Sequence, residues 1–216
     1  MKNKIVPKNA LIIANGEQCS NKLIDKFLKN NQTIIVLDGA IDRVTKLGIN
    51  FNILSGDFDR ISVAHHKLNL PENVEIIYTP DQNKTDLEKA IEFLIKKKYD
   101  YIDIIWATGL RSDHTFNNII TLGKYFNKIK CSIHDDYSTI FALPKKFEKE
   151  YSKGDVISLF PLGKVSGITT SGLLYEMKNK TLNIPTQTGS SNESAVKGIV
   201  KIEYKTGVLI IMECTD

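Results

Sequence analysis

The stretch VEIIYTPDQNKTDLEKAIEFLIKKKYDYIDIIWAT, residues 74–108, decides the fold, because its apolar residues change period twice. Leu87, Ala90, Ile91, Leu94 and Ile95 recur at i, i+3, i+4, i+7 and i+8, which is the stripe of a helix buried on one side. The runs on either side, 74–80 and 101–108, are short, nearly continuous and apolar, as strands buried on both faces are. A strand, a helix and a second strand in that order imply a right-handed crossover between parallel neighbours. Working outward, the same alternation recurs in ALIIAN (10–15), TIIVLD (33–38), FNILSGD (51–57) and CSIHD (131–135). The expected architecture is therefore α/β, a Rossmann-like, mostly parallel sheet with flanking helices. Ligands of such sheets sit beyond the carboxyl ends of the strands.

Past about residue 140 the helical stripe disappears. DVISLFPLG, TLNI, VKGIVKIEY and GVLIIMEC are strand-like and separated by Gly, Ser, Thr and Lys, and YKTGV (204–208) has the composition of a hairpin turn. A C-terminal antiparallel β-sandwich domain is expected over 144–216, after an α/β domain over 1–143, with LPKKFEKEYSKGD as the boundary segment.

Composition narrows the function classes. Of 216 residues, 42% are hydrophobic and 25% charged, as in ordinary soluble globular proteins, and no apolar run approaches the roughly 20 residues of a membrane span. The net charge of +4 is mild and its lysines are dispersed, which gives nucleic-acid binding little support. Cys19, Cys131 and Cys214 lie far apart without CxxC spacing and read as reduced thiols. The expected setting is the cytoplasm, with no membrane and no nucleic-acid partner.

Acidic residues concentrate at the strand-to-helix junctions. Asp57 and Asp59 follow the run ending at Ser55–Gly56, and an extended chain would aim both the same way. Asp38 closes IIVLDGA, Asp86 opens the helix of 85–98, and Asp113 opens the one after TGLRS. In a parallel sheet these junctions share one edge, so five carboxylates should converge, and that many like charges call for a divalent cation. Hard oxygen donors suit Mg²⁺, which keeps waters and binds few carboxylates together with substrate phosphates. Arg111 is the cation of the set, and its planar fork fits phosphate oxygens. Acids, metal and arginine together point to phosphoryl-type transfer. Structural readings stand beside this: Thr85-x-x-Glu88 is a capping box, Ser112 or Asp113 suits an N-cap, and Asp38–Gly39 suits a turn. Neither GxxxxGK[ST] nor GxGxxG is present, and of the four histidines only His114 lies near the acids.

These residues carry a resemblance. VLDGA, LSGDFDR, TPDQNKTDLEKAI, ATGLRSDHTFNNI, SLFPLG, TTSGLLYEM and GSSNES resemble, in order and across nearly the whole chain, the motifs of the thiamin pyrophosphokinase family. GDFD followed by DQxxTDxxKAI is the most specific part. The resemblance implies a homodimer that moves a pyrophosphoryl group from ATP to the hydroxyl of thiamine, giving thiamine diphosphate and AMP, with Mg²⁺. It implies a metal and catalytic cluster of Asp38, Asp57, Asp59, Asp86 and Asp113, with Asp57, Asp59 and Asp86 as metal ligands. Gln82, Thr85 and Arg111 would face the nucleotide or the reacting groups, and Ser191 and Asn192 would hold thiamine, across the dimer interface. Two positions depart from the pattern: Leu110 stands where a second glycine usually precedes the arginine, and Arg60 where serine usually follows GDFD. Tyr175 stands where some members carry tryptophan, and either stacking or core packing suits it. Two other readings remain: a degenerate sensor module binding thiamine diphosphate or a nucleotide, and a pyrophosphokinase for another small alcohol.

Overall fold

The computed structural model describes residues 7–58, 70 and 73–215. Asp59, Arg60, His65 and His66 lie outside the described residues.

The chain divides into two compact units, residues 1–118 with 127–131, and residues 119–126 with 132–216. In the first unit β1 (Asn9–Ile13), β2 (Thr33–Leu37), β3 (Ile53–Gly56), β4 (Glu75–Tyr78) and β5 (Tyr101–Ile105) run parallel in the order β4-β3-β2-β1-β5. Helices α1 (Asn21–Asn30), α2 (Ile41–Lys46), α3 (Asp86–Lys96) and the start of α4 (Ser112–Tyr125) intervene. The apolar stripe of α3 is observed where the period places it: Leu87, Ala90, Ile91 and Leu94 are buried. Leu11, Ile13, Val36, Leu54 and Ile105 form one core with Ile24 and Phe27 of α1 and Ile41 and Val44 of α2.

The second unit is antiparallel and organised around β9 (Val156–Ser171), a 16-residue strand that belongs to two sheets. Its first half lies between β13 (Thr206–Cys214) and β11 (Gly189–Glu193). Its second half lies between β12 (Gly198–Glu203) and β10 (Lys180–Asn183). Beyond β13 comes β7 (Ser138–Ala142), paired in turn with β6 (Lys130–His134), and beyond β12 comes β8 (Lys146–Tyr151). Ile157, Leu159, Val165, Ile168, Leu182, Val200, Ile202, Leu209 and Ile211 fill the space between the layers. On α4, a side chain at Gly123 would stand 2.2 Å from Leu162 Cδ1, so glycine lets the helix seat against β9.

One sequence expectation needs correction. YKTGV is not a hairpin turn: β12 pairs with β8 and β9, and β13 with β7 and β9, so 204–208 carries the chain from one sheet to the other. Lys205 N–H donates to Ser166 O along the way. The charged boundary segment contains a strand, β8, whose Lys and Glu residues face water while Phe147 and Tyr151 turn inward.

Candidate active site

Beyond the carboxyl ends of β2 and β3 the chain turns sharply. Asp38 opens a 3₁₀ turn, Asp38–Ala40, that leads into α2. Its Oδ2 accepts the N–H of Phe58 at 3.0 Å, joining the ends of the two strands. A Cβ on Gly56 would stand 2.3 Å from the Asp38 carboxylate, so only glycine leaves room for the acid there. Phe58 adopts φ 56°, in the left-handed region, and the expected common aim of Asp57 and Asp59 falls on a residue outside those described. The Phe58 ring is buried and stacks on Tyr78 with centroids 6.4 Å apart.

Burial raises the Asp38 carboxyl above the ordinary carboxylate range, and the charges of Asp86 and Asp57 push the same way against the Phe58 N–H. Asp38 therefore lies within the field of both Asp86 and Asp57. Gln82 reaches the same place, with Nε2 at 3.4 Å from Asp57 Oδ2.

Thr85 caps α3. Its hydroxyl oxygen accepts Glu88 N–H at 3.4 Å, and Glu88 Oε2 accepts Thr85 N–H at 3.1 Å, so the helix start engages both the oxygen and the N–H of this residue. Asp86, one residue on, is left to face the site, with Oδ1 2.8 Å from Lys89 Nζ. Lys89 is 7% exposed at the side chain and also donates to Thr79 O at 2.7 Å. Sequence reasoning does not single out this buried lysine, although its i+3 spacing from Asp86 is the signal that could have found it. Asp81 is occupied locally, accepting from Asn83 N–H at 2.9 Å in a turn.

Arg111 and Asp113 form a forked pair, Nε to Oδ1 at 3.1 Å and Nη2 to Oδ2 at 2.5 Å, with both side chains 64% exposed. The guanidinium holds the Asp113 carboxyl down at about 2. Asp113 is thus satisfied by its own neighbour and not drawn into the group of Asp38, Asp57 and Asp86. Of the five expected acids, Asp38 feels the charges of Asp86 and Asp57, Asp113 pairs with Arg111, and Asp59 lies outside the described residues. Among the same residues no group of three or more His, Cys, Asp or Glu is placed to enclose a metal ion. The donor set still fits Mg²⁺: hard oxygens, one carboxyl destabilised by two neighbours, and too few ligands to dispense with water and phosphate. Leu110 takes φ 53° beside Gly109 at 74°, so it adopts the left-handed backbone that glycine would take there, with its side chain 70% exposed.

In the second unit Ser191 adopts φ 55° on the exposed side of β11, and its N–H donates to Ser158 Oγ at 2.9 Å. Asn192 is 4% exposed. Its Oδ1 accepts from Tyr175 N–H at 3.0 Å and Glu193 N–H at 2.9 Å, and its Nδ2 donates to Tyr175 O at 2.8 Å. The amide acts as a backbone partner for residue 175 and leaves the Tyr175 ring outside, 68% exposed, which excludes core packing for that ring.

A parallel α/β unit with acids beyond its carboxyl edge, followed by an antiparallel β-unit, defines a two-part transferase of the phosphoryl type. Residues 24–133 match the family model described as thiamin pyrophosphokinase, catalytic domain, and residues 145–209 the one described as thiamin pyrophosphokinase, vitamin B1 binding domain. The thiamine pyrophosphokinase of Bacillus subtilis (strain 168) is 28% identical over 189 residues, covering 85% of this chain and 84% of that one. Thiamin pyrophosphokinase 1 of Caenorhabditis elegans is 25% identical over 176 residues, 74% of this chain and 70% of its own. The Bacillus subtilis crystal structure superposes with TM-score 0.82 at 25% identity, covering 97% of this chain and all of that chain (100%). The yeast enzyme's structure shares the fold, with TM-score 0.79 at 19% identity over 97% of this chain and 87% of that one. The chain belongs to the thiamin pyrophosphokinase family, and it is an ATP-dependent pyrophosphotransferase.

Proposed function

We propose that the chain makes thiamine diphosphate and AMP from thiamine and ATP, with Mg²⁺ held by Asp57, Asp86 and Asp59, and Asp38 beside them. The observation that carries this reading is the Asp38 carboxyl, disfavoured as an anion by burial and by the charges of Asp86 and Asp57 at the carboxyl edge of a parallel sheet, in a chain of this family. A bound divalent cation would offset that repulsion and neutralise phosphate oxygens. Thiamine's alcohol must lose a proton as it attacks the β-phosphorus, and Asp59 or Asp86 accepts it. Gln82 orients Asp57. Arg111 exchanges part of its fork from Asp113 to phosphate, and Asp113 keeps it aimed until then.

In this reading residues 1–143 serve ATP and metal and 144–216 serve thiamine, with Ser191 meeting the acceptor directly and Asn192 acting through the backbone of Tyr175. The working unit is a homodimer with composite sites. Its support is the exposure of Leu174, Tyr175, Val196 and Ile199 on adjoining segments, where Ala195 N–H donates to Gly172 O and Gly172 packs on the Ile199 carbonyl. No described helix is long and apolar enough to cross a membrane, and we place the enzyme in the cytoplasm.

Incubation of the protein with ATP, Mg²⁺ and thiamine tests the reaction. AMP is expected in proportion to thiamine diphosphate, with both lost on adding EDTA. ADP with thiamine monophosphate would overturn pyrophosphoryl transfer, and binding without turnover would indicate a sensor module.

A further inference from the structure

The end of β1 is pinned to the end of β5. Ala14 N–H donates to Ile105 O at 3.0 Å, Gly16 N–H to Trp106 O, and Glu17 N–H to Thr108 O at 2.7 Å. A Cβ on Gly16 would stand 2.3 Å from Thr108 O, so this approach requires glycine. Asn15 is held in the middle of this zipper with its side chain exposed.

Arg43 of α2 fixes how that side chain points. Its guanidinium lies 4.8 Å over the buried ring of Trp106 and donates from Nη1 to Gly16 O and from Nη2 to Asn15 Oδ1, both at 2.8 Å. Arginine has no acceptor, so the amide oxygen must face it and the amide nitrogen must face away. Asn15 Nδ2 lies flat on Gly39, where a Cβ would come within 2.3 Å of it, and it has no partner among the described residues. The result is a rigid, outward donor next to the residue that follows Asp38.

Its position in the sheet gives that donor a use. The chain leaves β1 toward β2 on one side, and returns from β4 through α3 to β5 on the other, so the crevice at the end of β1 is the topological switch point of the first unit. Asp38 follows β2, Arg111 lies on the loop after β5, and β1 runs between those two strands. A phosphate chain bridging the acids to Arg111 must cross the end of β1.

We infer that Asn15 is a substrate-binding residue whose Nδ2 donates to a phosphate oxygen of ATP, and that Arg43 is the positioning residue that keeps the donor outward. The inference rests on the ATP-dependent reading above. Asn15→Asp tests it, because aspartate still accepts from Arg43 and keeps the local fold but offers phosphate an oxygen in place of a donor. The affinity for Mg–ATP, measured by calorimetry without thiamine, should fall about tenfold or more with the thermal midpoint unchanged or raised. Asn15→Ala should lose about fivefold in ATP affinity with a slightly lowered midpoint. Arg43→Lys should raise the KM for ATP while leaving the KM for thiamine unchanged. If both Asn15 variants bind Mg–ATP as the wild type does while the wild type forms AMP, Asn15 is structural and the inference is wrong. A wild type that forms no AMP would overturn the ATP-dependent reading, and this inference with it.

Discussion

At Asp38 one side chain is asked to satisfy opposing demands. Its carboxylate holds the Phe58 N–H, yet burial and the charges of Asp86 and Asp57 oppose its ionisation. The sign of the consequence follows from linkage. A carboxyl whose folded pKa lies above its unfolded value lends stability at low pH that is lost as pH rises through the folded value. Asp38→Asn should therefore raise the thermal midpoint of the metal-free protein at neutral pH and leave it unchanged near pH 3. The amide oxygen still accepts from Phe58, so folding is retained while turnover falls by about a hundredfold or more. Calorimetric melts at the two pH values and an AMP assay check both halves. A lowered midpoint at neutral pH would mean that the surroundings of Asp38 favour its charged form, the reverse of what burial and two like charges impose. The acids are legible in the sequence because strand-end position alone fixes which edge they occupy. Their partners are not, because Asp38 takes the Phe58 N–H and Asp113 is claimed by Arg111, and neither event leaves a periodic trace.

At the scale of elements, α3 shows how a residue in a signature motif can have a local task. The family resemblance turns Thr85 toward the nucleotide, whereas its hydroxyl and N–H both serve the capping box. Thr85→Ala should cost about 1 kcal/mol and lower the midpoint by about 2–4 °C, with the KM for ATP unchanged. A raised KM at an unchanged midpoint would return Thr85 to the nucleotide site. The box and the stripe of α3 are readable because both are written within one or two turns of chain. β8 is not, since alternating Lys and Glu on an exposed edge strand resemble a solvated linker until β12 supplies its partner. The same blindness makes YKTGV look like a hairpin: turn composition says that the chain reverses, not which strand waits beside it.

For the whole molecule, the acids and Arg111 belong to one unit and Ser191, Asn192 and Tyr175 to the other. In the proposed C₂ dimer each β-unit serves its partner's acids. Chains carrying Asp57→Asn and chains altered at Ser191 and Tyr175 should each form nearly inactive dimers. Unfolded together and reassociated, the mixture should recover roughly a quarter of wild-type activity, since half the dimers are mixed and each has one intact site of two. A mixture that stays inactive although mixed dimers form would place the complete site within a single chain.

The two-sheet strand β9 also sets a timetable for synthesis. Its first half and the outer strand β7 both pair with β13, which is made after every other strand. A nascent chain that ends within residues 172–205 lacks β13, so β7 and β9, if formed by then, would each present a bare edge of N–H and C=O groups to any other nascent chain. All residues of the parallel unit, which end at 131, have been made by then. The interval before β13 emerges is where chaperones would be needed, and where codon-level pauses would be felt most.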